Sequence, residues 1–296
     1  VACHADPLLS THTPNACLSV RQGIDYQWYE HGTPRAMSVK EIEGVVSSFG
    51  QAAALAKKAG FDGVELHAGS GYLLDTFLQA CTNKRDDKYG GSAERRFAVL
   101  GEILTAVSAS FPLSRVGIKI TPNNGFNGMG SPDTTDMFLY CSARLDAMGI
   151  AYLHVTDGIG QAKTGATWYG RTKSSGYHGY GEPLTLSKLK TVFHGALIGN
   201  GGYTAETAEA AVVANEAAAI SFGRVYMTNP DLVERFRNEL PLAPLPPTDE
   251  WFVPNEKLRA DVSQGYTKYG PYDASKHPHA PASPTSIRST SIYATQ

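Results

Sequence analysis

The run GFDGVELHAGSGYLLDTFLQACTNKRDDKYGGSAERRF, residues 60–97, decides how this chain is organised. It opens on a short apolar strand, Gly63–His67, and passes into a polar, glycine-bearing loop. It ends by starting an amphipathic helix, Glu94–Ser108. Gly90, Gly91 and Ser92 read as a turn followed by an N-cap, with Glu94 in the first turn where the helix dipole favours a negative charge. The charges crowded around the glycine pair predict an ordered network.

The same theme extends in both directions. Upstream, Ser38 followed by Glu41 is a capping-box signature. Behind it Ile42, Val45, Val46, Phe49, Ala52, Ala53 and Ala56 recur at helical spacing, Lys57 and Lys58 complement the C-terminal end, and Gly60 supplies a left-handed stop. Downstream, strands are expected at Val116–Ile120, Tyr152–Val155, Leu197–Gly199 and Ala218–Phe222. Helices are expected at Thr135–Met148, Thr185–Val192 and Thr204–Asn215. Strands alternating with helices argue for a parallel sheet.

Either a doubly wound sheet or a closed barrel follows from that alternation. No GxGxxG fingerprint marks an early strand, and the chemically interesting residues fall at strand C-terminal ends, where barrel sites are built. The fold expected is therefore α/β, a (β/α)8 TIM barrel of which this chain carries about the last five βα units. Those units occupy about 200 residues against roughly 250 for a whole barrel, which leaves about three strands unaccounted for. A start at Val1 instead of Met points to a fragment or a processed chain. Residues 1–37 read as an irregular N-terminal segment, 38–273 as one partial-barrel domain, and 274–296, rich in Pro, Ser, Thr and His, as a disordered tail.

Composition narrows the function. The chain has 296 residues, 42% hydrophobic and 18% charged, with a net charge of −2. That balance offers no electrostatic case for nucleic acid or a membrane surface. No apolar run approaches the roughly 18 residues of a membrane span, and no secretory signal opens the chain. Cys3, Cys17, Cys81 and Cys141 form no CxxC pair and no zinc-spaced set, so inert thiols, no metal and a reduced, cytoplasmic setting are expected.

Chemistry concentrates at three strand ends. His67 and, a few residues on, Tyr72 reach the barrel mouth, where an imidazole can donate a hydrogen bond to a carbonyl oxygen and a phenol can deliver a proton. Barrels commonly bind phosphate between the loops after their last two strands. Here those strands end in Gly199-Asn200-Gly201-Gly202 and in Gly223-Arg224, glycines that admit backbone amides and an arginine that adds a charge-assisted pair. The long segment Asp157–Glu182, with Trp168, Tyr169, Tyr177, His178 and Tyr180, reads as a lid that shapes substrate choice.

The 60–97 block closely resembles the central signature of Old Yellow Enzyme family flavoproteins. VGIKITP (116–122), GIAYLHV (149–155), LIGNGGYTAETAE (197–209), AISFGRVYMTNPDLVERF (219–236) and GYTKY (265–269) resemble further family motifs in the same order, over roughly residues 36–270. VACHAD at the N-terminus resembles the end of the family's third strand. The resemblance implies bound FMN, with NADPH as reductant. It implies reduction of an activated alkene, in which Tyr72 protonates the substrate α-carbon and His67 hydrogen-bonds the oxygen of the activating group. The family's usual Asn or His three positions on is here Ser70, a shorter side chain at a substrate-binding position. Lys119 stands where the family has a basic residue beside the flavin, keeping the charge without the planar fork. Asn200, Gly201, Gly202, Gly223 and Arg224 would hold the phosphate, and Trp251 and Phe252 would lie near the flavin's dimethylbenzene edge. The partner implied is a small activated alkene, for a monomer or homodimer.

Two rival readings are open. One is a truncated, flavin-free relative acting as a non-catalytic interaction protein or inactive. The other is a different phosphate-binding barrel, a lyase or isomerase, against which the His67–Tyr72 spacing and the YGGS block argue.

Overall fold

In a computed structural model of the protein, residues 35–157, 180, 182–245 and 269–273 are described, together with the backbone of two short strands. Those strands, β1 (Val20–Gln22) and β2 (Gln27–Tyr29), pair antiparallel. They correct the expectation that 1–37 is wholly irregular. Strands of three residues carry too little pattern to be seen in sequence. Expected features at Cys3, Cys17, most of 158–181, Trp251, Phe252, most of GYTKY and the tail lie outside the described residues. The chain divides into two compact units, Val1–Ser221 and Phe222–Gln296, a boundary that falls within the span read as one domain.

In the first unit, α1 (Val39–Lys58) starts at the capping box read from sequence: the Ser38 hydroxyl accepts from the Glu41 amide, and the Glu41 carboxylate accepts from the Ser38 amide. Gly60, at φ 91°, follows its end. The expected apolar face is only partly covered, since Ile42 and Ala53 are buried while Ala52 is exposed. Ser38→Ala is expected to lower stability by about 1 kcal/mol, the usual worth of an N-cap. A shift of the urea midpoint without a change in slope would report it.

Next come β3 (Val64–Ala68), the short α2 (Leu73–Leu78), α3 (Ala93–Ser108), β4 (Val116–Ile120), α4 (Thr134–Met148) and β5 (Tyr152–Thr156). After them follow α5 (Leu186–Leu189), β6 (Ala196–Asn200), α6 (Ala205–Val213) and β7 (Ala219–Ser221). Strands β3 to β7 form one parallel sheet in unbroken sequence order. A doubly wound sheet reverses its order at a switch point, whereas a barrel steps always to the next neighbour. The order here is the barrel's, and the chain carries five strands of such a barrel.

Register sorts the strand residues onto two faces. Leu66, Ile118, Leu153 and Leu197 align on one face, with Ala68, Ile120, Val155 and Gly199 one step on; all but Gly199 are in the hydrophobic core. Against them pack Phe97, Leu100, Ile103, Leu104 and Val107 of α3, and Met137, Phe138, Cys141 and Leu145 of α4. Each such apolar side chain stabilises the fold by roughly 1.5–3 kcal/mol relative to exposure. The opposite face is polar: Glu65, His67, Lys119, His154, Thr156, Asn200 and Ser221. Gly117 leaves room on that face for the Tyr152 ring, since a Cβ there would stand 2.2 Å from Tyr152 Cζ. Across the gap the Tyr152 phenol faces the Glu65 carboxylate, and burial together with that charge raises the Tyr152 pKa.

The charged block before α3 is ordered, as expected, and its work is structural. Arg85 pairs with Asp87 at 2.5 Å and donates to the Met37 carbonyl at 2.7 Å, tying the block to the start of α1. Asn83 donates to the Phe77 and Tyr89 carbonyls, and Tyr89 to Glu102. Gly90 passes so close to the Arg85 carbonyl that a Cβ would stand 2.0 Å from its oxygen.

The second unit contains α7 (Arg224–Thr228) and α8 (Leu232–Arg237). The Asp231 carboxylate accepts from Arg235 Nε at 2.8 Å and from the Tyr272 amide at 2.7 Å, holding the 269–273 segment to the start of α8.

Candidate active site

His67 and Lys119 are register partners on adjacent strands, both on the polar face. The Tyr72 ring lies 5.5 Å from the His67 ring, centroid to centroid, at 52°. Three residues named from sequence at separate positions are thus brought together at the C-terminal end of the sheet. Burial, then the Lys119 ammonium, hold the His67 pKa below the ordinary histidine value; Glu65 opposes them, and His154 adds the smallest effect. His67 keeps a solvent-open edge but is neutral at physiological pH, able to donate one N–H and unable to serve as a strong acid. Desolvation lowers the Lys119 pKa as well, only partly offset by Glu65. A half-buried cation poor in water favours an anionic partner.

The turn that carries Tyr72 is unusual. Ser70 at φ 57° and Gly71 at φ 70° are consecutive left-handed residues, and the first is not glycine. Such a pair holds its shape only when its surroundings fix it. The Ser70 amide donates to Thr121 Oγ1 at 2.6 Å, and Asn127 Nδ2 donates to the Ser70 carbonyl at 2.7 Å. From below, the Gly71 amide donates to Asp75 at 2.8 Å. A Cβ on Gly71 would meet Asn127 Cβ at 2.4 Å, so a side chain there is excluded by space as well as by backbone. Thr121, Asn127 and Asp75 were not named from sequence. The available signal was Asp75 itself, a carboxylate inside the apolar run LLDTFL.

At the C-terminal end of β6, Asn200 bonds across the sheet. Its amide donates to the Ser221 carbonyl and hydroxyl at 3.1 and 2.9 Å, while its oxygen accepts from Thr156 at 3.0 Å. Its side chain therefore joins β5, β6 and β7. Gly201 and Gly202 follow at φ 117° and 82°. Tyr203, next in line, is hydrogen-bonded to Asp157 at the end of β5. Glycines in this backbone region let amides approach a phosphate closely. Gly223 and Arg224 open α7 in the second unit, with Gly223 exposed and Arg224 half-buried.

His154 links Glu65 at 3.0 Å to Ser221 at 2.7 Å, completing a polar seam from β3 to β7 that sequence reasoning missed. Among the described residues no group of three or more His, Cys, Asp or Glu could hold a metal ion, and no helix is long and apolar enough to cross a membrane. Cys81 and Cys141 are free, and burial with the nearby Asp75 pushes the Cys141 thiol up to about 12.

Residues 4–243 match the family described as NADH:flavin oxidoreductase / NADH oxidase. A 12-oxophytodienoate reductase of rice, Oryza sativa subsp. japonica, is 36% identical over 243 residues, covering 79% of this chain and 59% of the relative. Among solved structures, the old yellow enzyme homologue from Zymomonas mobilis aligns with a TM-score of 0.74 at 30% identity, over 90% of this chain and 68% of that one. Morphinone reductase in complex with tetrahydroNAD aligns with a TM-score of 0.70 at 32% identity, over 91% and 67%. The chain spans about 60% of the length of the curated relatives it matches.

Proposed function

The chain belongs to the NADH:flavin oxidoreductase / NADH oxidase family, that of the Old Yellow Enzymes, and on that premise we propose that the protein is an FMN-dependent ene-reductase. It oxidises NADPH and reduces activated C=C bonds of α,β-unsaturated carbonyl-type substrates in a cytoplasmic setting. The observation that carries this reading is the ring pair of His67 and Tyr72, 5.5 Å apart, with Lys119 beside His67 in register.

FMN, when bound, supplies the hydride chemistry; the protein supplies position, charge and a proton. Lys119, short of water, offers its charge to an anionic ring edge. Gly201 and Gly202 offer backbone amides suited to a phosphate, and we assign Asn200, Gly223 and Arg224 to cofactor binding from the family motif. Neutral His67 donates its N–H to the oxygen of the activating group and draws electron density from the alkene. Tyr72 Oη then delivers a proton to the α-carbon as the β-carbon is reduced. Ser70, with a shorter reach than the Asn or His of the family pattern, leaves that oxygen dependent chiefly on His67. Residues 38–273 would form the flavin-binding domain.

The test is direct. Full-length protein is expected to purify yellow, to release FMN in equimolar amount, and to oxidise NADPH faster when cyclohex-2-enone is added. Parallel assays with NADH would rank the two reductants. Colourless protein that neither takes up added FMN nor oxidises either nucleotide would sink the proposal and favour the flavin-free interaction protein instead.

A further inference from the structure

We propose that Asp75 is a positioning residue for Tyr72, its carboxylate fixing from beneath the left-handed turn out of which the phenol emerges. The inference rests on the reading of Tyr72 as the proton donor, but its geometry stands apart from that reading. Asp75 is fully buried in α2, one turn beyond Tyr72. Its Oδ2 accepts from the Gly71 amide at 2.8 Å, and its Oδ1 accepts from Gln79 Nε2 at 2.8 Å. Gln79, also buried, uses its own oxygen to accept from the Gly130 amide at 2.8 Å. The result is a relay from the Tyr72 turn to the loop before α4.

Counting donors shows why the position wants an acid. The relay presents three donors: the Gly71 amide, the Gln79 amide group and the Gly130 amide. Only a double acceptor at 75 satisfies all of them. An Asn there either turns its NH2 on the Gly71 amide, or accepts from Gly71 and sets its NH2 against that of Gln79. If Gln79 flips, its NH2 meets the Gly130 N–H instead. In each case one buried donor loses its partner. A neutral, protonated Asp75 meets the same conflict.

Among the described residues no cation offsets the buried charge. The titratable group facing it from α4 is the Cys141 thiol. Arg96, from α3, is committed to the Leu78 carbonyl and to Asp133. Asp75 therefore stays at a net cost in burial, and the group its hydrogen bonds hold is the turn under Tyr72. The Thr121 and Asn127 contacts fix Ser70 from above; Asp75 is the contact that fixes Gly71.

The experiment uses the full-length protein and three forms: wild type, Asp75→Asn, and Asp75→Asn combined with Gln79→Glu. The double form moves the acid one link along and restores every donor to an acceptor. Exchange of the Gly71 amide, or of the Gly130 amide at the far end of the relay, is expected to quicken about tenfold in Asp75→Asn, one hydrogen bond's worth, and to return towards wild type in the double form. In stopped-flow work the alkene half-reaction is expected to slow about 10- to 100-fold in Asp75→Asn, as for a misplaced reacting group, and to recover in the double form. The NADPH half-reaction, which does not use Tyr72, should be unchanged.

A folded Asp75→Asn that keeps both Gly71 and Gly130 protected, slows both half-reactions alike, or is not rescued by Gln79→Glu overturns the proposal. Should the variants fail to fold, wild-type protein decides by itself. Protection of Gly71 or of Gly130 must weaken as pH falls below about 7, where Asp75 takes up its proton. Constant protection from pH 5.5 to 8.5 would overturn the idea. If the protein proves to bind no flavin, the exchange measurements still answer for Asp75, so the two failures are told apart.

Discussion

Tyr72→Phe is expected to slow alkene reduction by about 10²- to 10⁴-fold, the range for a lost general acid, with NADPH oxidation by the flavin left intact. The replacement is close to isosteric. It keeps the ring that stands 5.5 Å from His67 and the backbone that leads into α2, so packing is preserved and only Oη is removed. Neighbouring His67 cannot substitute as the acid, because burial and Lys119 favour its neutral form. Single-turnover kinetics of each half-reaction would measure the split. Equal losses in both halves would point to damage in flavin binding, and no loss in either would remove Tyr72 from the chemistry.

The second large effect is on stability, and its sign is unusual for a carboxylate. Burial raises the Asp75 pKa from 3.8 to about 7, against the opposing pull of its bonds to Gln79 and Gly71. The native state therefore holds a proton between pH 4 and 7 that the unfolded chain has released. The stability this contributes is fully present below pH 4 and is lost as pH rises through about 7. The rise of about three pKa units corresponds to roughly 4 kcal/mol. Carboxylates such as Glu65, Asp87 and Asp146, whose native pKa values are lowered, act oppositely, and their contribution is lost only as pH falls through the acid range. Urea midpoints for wild type and Asp75→Asn between pH 4 and 8 isolate the effect. The wild type should lose ground against the variant over that interval. Parallel curves would contradict the assignment.

This slope also separates local from global change. Acidification is expected to strengthen the fold through Asp75 while it loosens the relay at Gly71 or Gly130, so exchange at those amides cannot be mistaken for unfolding.

The barrel was legible in sequence because its strands are continuous apolar runs ended by polar residues. Val116–Ile120 lies where it was placed, and the other four sheet strands agree to within one residue at each end. The capping box located α1. The short helices α2, α7 and α8 offer too few turns for a 3.6-residue period to show, and they were missed. Expected helix Thr185–Val192 is regular only over Leu186–Leu189, because Thr191 and Val192 already turn towards β6. At the site, His67 and Tyr72 were legible from their place at and just after a strand end, and Lys119 through the family resemblance. The relay under Tyr72 was not, since Gln79 and Gly130 meet across 51 positions of sequence. The polar seam through His154 was hidden for the same reason, its partners lying 89 and 67 residues away. Local pattern finds candidate residues at strand ends; long-range contacts find those that hold them.

The gap at Gly117 makes two positions into one choice. The volume that β4 gives up is the volume the Tyr152 ring occupies on its way to Glu65, so neither residue can be exchanged on its own merits. An alanine at 117 is compatible only with a smaller neighbour at 152, and a smaller neighbour leaves a hole that only a larger 117 can fill. Anyone redesigning this sheet inherits a constraint written across the strand ladder, where the conserved quantity is a shared space and not the identity of either side chain.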